Sequence, residues 1–118
     1  YENTWYIERK EDGALLGMIA AEEDGVRFDV RSRCLSYYLG EQYTRQGYMK
    51  EALNTVCSYA FEEMGLHRLE ASTLMDNSRS QGVLKACGFN ELGISEKYLY
   101  INGEWRDHKI FYKVNDDL

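Results

Sequence analysis

The sequence predicts an α+β fold, a mixed sheet with helices on its faces. Three observations carry that expectation. Residues 47–64 place Ala52, Leu53, Val56, Ala60, Phe61 and Met64 at helical spacing, with Lys50, Glu51, Asn54, Ser58 and Glu62 falling elsewhere. Val26, Phe28 and Val30 alternate with Arg27 and Asp29, the period-2 pattern of a half-buried strand. Asn102-Gly103 separates two strand-like runs, and that dipeptide favours the positive-φ geometry of a tight two-residue turn.

In chain order, residues 4–9 and 14–21 read as strands joined by the turn-like Lys10-Glu11-Asp12-Gly13. Glu22-Glu23-Asp24-Gly25 reads as a second turn. The alternation at Val26 begins a strand that either runs on into residues 34–39 or breaks at a bulge. The helix over 47–64 stops at Gly65. A strand follows at residues 68–74, and Asp76-Asn77-Ser78 then offers an N-cap for a short helix. That helix ends near Cys87 with Gly88 as its stop, and Val83, Leu84 and Cys87 share one of its faces. Residues 94–101 and 104–114 form the closing hairpin. The order is strand-strand-strand-helix-strand-helix-strand-strand.

With 118 residues, 44% of them hydrophobic, the chain suits a single domain spanning 1–118. No apolar run approaches the roughly 18–20 residues of a membrane span. Tyr1-Glu2-Asn3-Thr4-Trp5 lacks the basic-then-apolar plan of a signal peptide. The formal net charge of −6 argues against a general nucleic-acid surface and suits cationic acceptors such as amines. Cys34, Cys57 and Cys87 are widely spaced and odd in number, which suggests neither zinc nor a disulfide framework. They read as buried reduced thiols of a cytoplasmic protein.

Chemistry concentrates at Thr44-Arg45-Gln46-Gly47-Tyr48-Met49-Lys50-Glu51-Ala52-Leu53, after the strand-like Leu35-Ser36-Tyr37-Tyr38-Leu39. A polar turn with one Gly opens directly into an amphipathic helix. The first turn of a helix carries unpaired N–H groups and partial positive charge, which suits an anion, and a Gly there lets a phosphate approach the backbone. About thirty residues on stands Asn77-Ser78-Arg79-Ser80-Gln81-Gly82-Val83-Leu84-Lys85-Ala86-Cys87-Gly88-Phe89.

Together these two stretches resemble the signature of the GNAT superfamily of acetyl-CoA-dependent N-acetyltransferases. Leu66-His67-Arg68-Leu69-Glu70-Ala71 and Tyr100-Ile101-Asn102-Gly103-Glu104-Trp105-Arg106-Asp107 are similar to the branch that acetylates N-termini of ribosomal proteins. The resemblance covers residues 5–114. It implies a mixed, mostly antiparallel sheet flanked by helices. The first strand and two helices that the family carries before this point have no counterpart here. The expectation is therefore the carboxy-terminal portion of the domain, whose open sheet edge favours a homo-oligomer.

The resemblance also implies roles. Arg45, Gln46, Gly47, Tyr48 and Met49 would hold the pyrophosphate of acetyl-CoA, with Met49 pointing away from it. Leu39 lies where the family splays two strands, and its backbone would pair with the pantetheine arm, which Asn77 would border. Ser80 occupies the position near the thioester sulfur, where a hydroxyl can donate a hydrogen bond to the departing thiolate. The sequence departs from the family at four positions: Thr44 and Met49 in the loop, Leu84 where many members have an acidic Tyr, and Cys34 where close members have Glu. Glu70 is the best remaining general base, although it reads more readily as a structural hydrogen-bond or ion-pair partner. His67 stands at a helix-to-strand turn, and water relaying the proton is a further alternative. The implied activity is transfer of acetyl to a primary amine, a protein N-terminus or a small molecule, with no metal. A non-catalytic acyl-CoA-binding or assembly module is the alternative.

Overall fold

The computed structural model describes residues 3–23 and 32–115 of the 118. The elements are β1 (Asn3–Glu8), β2 (Leu15–Glu23), β3 (Ser32–Leu39), a short 3-10 turn (Glu41–Tyr43), α1 (Tyr48–Glu62), β4 (Arg68–Leu74), α2 (Ser78–Ala86), β5 (Asn90–Ile101) and β6 (Glu104–Val114). This is the expected α+β order. The alternating strand expected at Val26, Phe28 and Val30 lies outside the described residues. Glu22 and Glu23, expected in a turn, instead continue β2 opposite Cys34 and Arg33. The antiparallel ladder supplies their backbone groups with partners, and it overrides the local turn chemistry. β5 begins at Asn90, four residues before the expected start.

The six strands form one sheet in the order β1-β2-β3-β4-β6-β5. Every pair but one is antiparallel. The exception is β3 with β4, joined in parallel by the crossover through α1. That ladder is short: Ser32 faces Arg68, Arg33 faces Leu69 and Cys34 faces Glu70, and pairing ends there. Beyond it β3 runs on beside β2 as far as Leu39, and β4 runs on beside β6 as far as Leu74. The two strands part into a V. Glycine lets β2 sit close to the free arm of β3, because a Cβ on Gly17 would lie 2.0 Å from the Tyr38 carbonyl oxygen.

Both helices pack on one face of the sheet. Leu53, Val56, Cys57 and Ala60 of α1 and Leu84 of α2 join Ile19, Leu35, Leu69, Ala71 and Phe111 in a single core. Leu53, Leu69, Leu84 and Phe111 are fully enclosed. Gly47 caps the start of α1 with φ of 82°, and Gly65, at 68°, takes the chain out of its last turn. α2 is held at both ends. Asn77 Oδ1 accepts from the Ser80 N–H at 3.1 Å, and Lys113 Nζ donates to the Cys87 carbonyl at 2.8 Å, a cation where the helix dipole is negative. The hairpin turn is as expected, with Asn102 and Gly103 at φ of 50° and 85°. Among the described residues no helix is long and apolar enough to cross a membrane.

Burial pushes the Cys57 thiol up to about 11 from its ordinary 9.0, against a smaller opposing pull from Lys113. The folded chain thus holds this proton more tightly than the unfolded chain does. Above pH 9 the unfolded state releases it first, so stability falls as pH rises between about 9 and about 11. Cys57→Ala should flatten urea-denaturation stability against pH in that window, and native Cys57 should resist thiol reagents at pH 8. Rapid labelling of native Cys57 at pH 8 would contradict this account of its burial.

Candidate active site

The V between β3 and β4 is a cleft of about 490 Å³. The β3 arm from Leu35 to Leu39 has β2 on one side and, among the described residues, no strand on the other, so one edge of its backbone faces the cleft. Leu39 lines it while its side chain packs partly against the core. β4 supplies Ser72, Thr73 and Leu74 from the opposite wall, and the two helix starts close the ends.

One end has the geometry that suits an anion. The first bond of α1 runs from the Glu51 N–H to the Gly47 carbonyl at 3.1 Å. The N–H groups of Tyr48, Met49 and Lys50 therefore have no helical acceptor. Arg45 and Gly47 both take left-handed φ, 65° and 82°, which curls the loop around this point. A Cβ on Gly47 would meet nothing within 4 Å, so the space beside it is open to a ligand. Met49 turns its side chain into the core and is 6% exposed. Thr44 Oγ1 donates back to the Glu41 carbonyl, and Gln46 Nε2 to the Gln42 carbonyl at 3.2 Å. Gln46 is not part of the cleft wall.

Charge sharpens the picture. Arg45, Lys50 and Arg79 line the cleft, and no Asp or Glu among the described residues does. In a chain of net charge −6 that segregation is a local reversal of sign. Sequence reasoning singled out Arg45 and missed Lys50 and Arg79. The available signal was their position in the first turns of α1 and α2, where the helix dipole disfavours a cation unless an anion joins it.

At the other end lies a hydroxyl pair. Ser80, in the first turn of α2, and Tyr37, on β3, share a hydrogen bond between their side-chain oxygens. Both line the cleft. Burial raises the Tyr37 pKa, the bond to Ser80 opposes this, and Cys87 adds slightly to the rise. The phenol is therefore neutral at pH 7. Asn77 also lines the cleft, its side chain engaged in capping Ser80. Leu84 is fully buried in the core, one turn after Ser80.

Two more polar groups reach the cleft that the sequence did not reveal. Thr73 is 3% exposed, and its hydroxyl has no hydrogen-bond partner among the described residues. His108 is 4% exposed and packs against Tyr98 in a tilted contact, with ring centroids 5.5 Å apart and planes at 57°. Its Nδ1 lies 3.1 Å from the Arg106 carbonyl oxygen. A carbonyl can only accept, so Nδ1 carries the hydrogen and Nε2 keeps the lone pair in the neutral ring.

Glu70 stands apart from the cleft wall. It lines an adjoining groove of about 320 Å³ with Glu22 and Cys34, and it accepts from Arg68 Nε at 2.8 Å. Groove and cleft meet at Leu35, Ser36, Ser72 and Leu99, which line both. His67 is exposed, lines neither, and its carbonyl accepts from the Asn115 N–H. Among the described residues no three His, Cys, Asp or Glu side chains cluster to hold a metal ion.

Residues 1–90 match the family described as an acetyltransferase (GNAT) domain. The chain is 35% identical over 106 residues to a probable N-acetyltransferase, YjcK, of Bacillus subtilis, covering 90% of this chain and 58% of that protein. It is also 35% identical over 83 residues to the ribosomal protein uS5-alanine N-acetyltransferase of Escherichia coli, covering 70% of this chain and 43% of that one. The chain thus spans about half the length of the curated relatives it matches. Among solved structures, the ribosomal-protein-S5-alanine acetyltransferase of Vibrio fischeri superposes with a TM-score of 0.86 at 34% identity, over 93% of this chain and 60% of that one. RimJ of Mycobacterium smegmatis, solved with CoA-disulfide, superposes with a TM-score of 0.80 at 30% identity, over 91% of this chain and 51% of its own. A six-stranded sheet splayed at β3 and β4, a helix start with unpaired N–H groups at the splay and this sequence match make the chain a member of the GNAT acetyltransferase family.

Proposed function

We propose that this domain binds acetyl-CoA in the β3–β4 cleft and transfers its acetyl group directly to a primary amine arriving through the adjoining groove. The observation that carries the reading is the charge of the cleft. Three cations and the open start of α1 converge on it, and no carboxylate among the described residues lines it. Such a wall suits a pyrophosphate, whose charge the helix dipole and Arg45 would share. The groove has the opposite character, with the carboxylates of Glu22 and Glu70 on its wall, which suits an incoming ammonium.

Acetyl-CoA, when bound, supplies an activated thioester. The residues then divide the work. The backbone of Gly47, Tyr48 and Met49, with Arg45, anchors the phosphates, and the free edge of β3 near Leu39 holds the pantetheine arm as a strand would. Thr73 hydrogen-bonds an amide of that arm. Ser80 donates to the sulfur as it gains charge. For the amine proton there are two acceptors. Glu70 acts only if its pair with Arg68 opens, whereas the His108 lone pair has no competing partner among the described residues. His108 is therefore the favoured base and Glu70 the group that draws in the ammonium. The acceptor is a protein N-terminus or a small amine. A non-catalytic acyl-CoA-binding module is favoured by the departures at Thr44, Met49, Cys34 and Leu84, the last two replacing the carboxylate and the Tyr that many family members carry. Titration with acetyl-CoA followed by turnover of an amine panel separates the two, since the module binds without turnover.

Gly47→Val should weaken acetyl-CoA binding at least tenfold, about 1.4 kcal/mol, with α1 still helical by circular dichroism. Unchanged affinity in calorimetry would remove the pyrophosphate site. Thr73→Val should act in two directions at once. Losing an unpartnered buried hydroxyl stabilises the free protein by about 1 kcal/mol in urea, and acetyl-CoA affinity falls. A variant that is less stable and binds as well as wild type would refute the role given to Thr73. With an N-terminal-alanine peptide as acceptor, His108→Gln should lower kcat about a hundredfold and Glu70→Gln should mainly raise the peptide KM. The reverse pattern would exchange the two roles.

A further inference from the structure

We propose that Tyr37 is a positioning residue: it donates its hydroxyl hydrogen to Ser80 Oγ, which leaves the Ser80 hydrogen directed at the sulfur of a coenzyme A thioester. The inference rests on the acetyl-CoA reading above.

Tyr37 and Ser80 lie 43 residues apart, on opposite walls of the cleft, and their hydroxyls meet across it. A hydroxyl pair has two possible directions. The phenol is much the stronger acid of the two, so it is the better donor, and Ser80 Oγ accepts. The Ser80 N–H is already held by Asn77 Oδ1 at 3.1 Å, which fixes the turn of α2 on which the side chain stands. Ser80 Oγ has no second partner among the described residues, so its own hydrogen is available to a ligand. A hydroxyl that accepts one hydrogen bond becomes a better donor of the next. Burial holds Tyr37 in its neutral, donating form. The ionisable groups around the pair are the Cys87 thiol and, on the cleft wall, Tyr38, Arg45, Tyr48, Lys50, Arg79 and His108.

In the transfer the amine nitrogen bonds to the carbonyl carbon, and the carbon–sulfur bond breaks with its electron pair passing to sulfur. The surplus proton of the amine leaves through the base. Ser80 donates a hydrogen bond to the thiolate and Tyr37 donates one to Ser80. Neither residue gives up its proton.

The test needs no acceptor amine. Coenzyme A carrying 13C at the carbon next to sulfur is bound to the full chain, and its thiol is titrated by NMR. Ser80→Ala should raise the bound thiol pKa by about one unit, and Tyr37→Phe by about half a unit. The double variant should shift no further than Ser80→Ala alone, because Tyr37 acts only through Ser80. For Tyr37→Phe, coenzyme A affinity by calorimetry should change less than about threefold, because phenylalanine keeps the ring that lines the cleft. Replacing Tyr37 by 3-fluorotyrosine, a stronger donor of the same shape, should lower the thiol pKa and keeps the test intact if Tyr37→Phe fails to fold. A wild-type thiol pKa in Tyr37→Phe, or a double variant whose shift is the sum of the singles, overturns the inference. Failure of the wild-type chain to bind coenzyme A removes the acetyl-CoA reading itself, and this inference with it.

Discussion

The arrangement of the site depends on where the parallel ladder between β3 and β4 stops. Three residue pairs hold the strands together, and then each strand takes its remaining partner from its other side. A parallel pair is slightly weaker per residue than an antiparallel one, so outer ladders with β2 and β6 can hold the two arms apart. Parting leaves unpaired backbone inside a domain, which costs free energy unless a ligand or water satisfies it. The fold carries that cost at the one place where α1 and α2 both begin. An extended ligand with amides along its length would relieve the cost.

The same logic accounts for the misplaced charges. Lys50 and Arg79 in first helical turns work against the helix dipole, by a few tenths of a kcal/mol to about 1 kcal/mol each. Thr73 keeps a buried hydroxyl without a partner, and Arg45 takes a left-handed φ that non-glycine residues disfavour. None of these features helps the free chain fold. All of them line one cleft. Coincident local costs of this kind mark a binding site more sharply than any single motif.

Much of this was legible in the sequence. Period-3.6 and period-2 patterns report burial, and Gly65, Gly88 and Asn102-Gly103 report φ, so α1, α2, β4 and the final hairpin fell close to their true positions. Glu22 and Glu23 escaped because their strand is defined by a ladder to β3 that local turn chemistry does not encode. Asn77 was legible as a cap because a cap and its helix are adjacent in the chain, whereas the place given to Ser80 came from the family resemblance. Tyr37, Thr73 and His108 could not, since their meaning comes from walls that meet only in the folded sheet. Glu70 shows the converse. It is on the strand it was expected on, yet alternation along β4 turns it to the groove face with Arg68, away from the face that carries Leu69, Ala71 and Thr73.

Core and site are coupled most tightly in α2. Ser80 and Leu84 stand four residues apart, so they share one face of the helix a turn from each other. Leu84 is fully enclosed by the core, and Lys113 ties the end of the helix to β6. Asn77 fixes its start. The Ser80 hydroxyl therefore inherits its position from packing that has nothing polar about it, and Tyr37 meets it from a strand whose Leu35 lies in the same core. An aromatic hydroxyl at position 84 would have to leave that core to reach the cleft. With Leu there instead, the chain gains a well-packed anchor and leaves its phenol on the opposite wall, where β3 already faces the cleft. Leu84 thus serves the site by packing, holding in place the helix turn on which Ser80 stands.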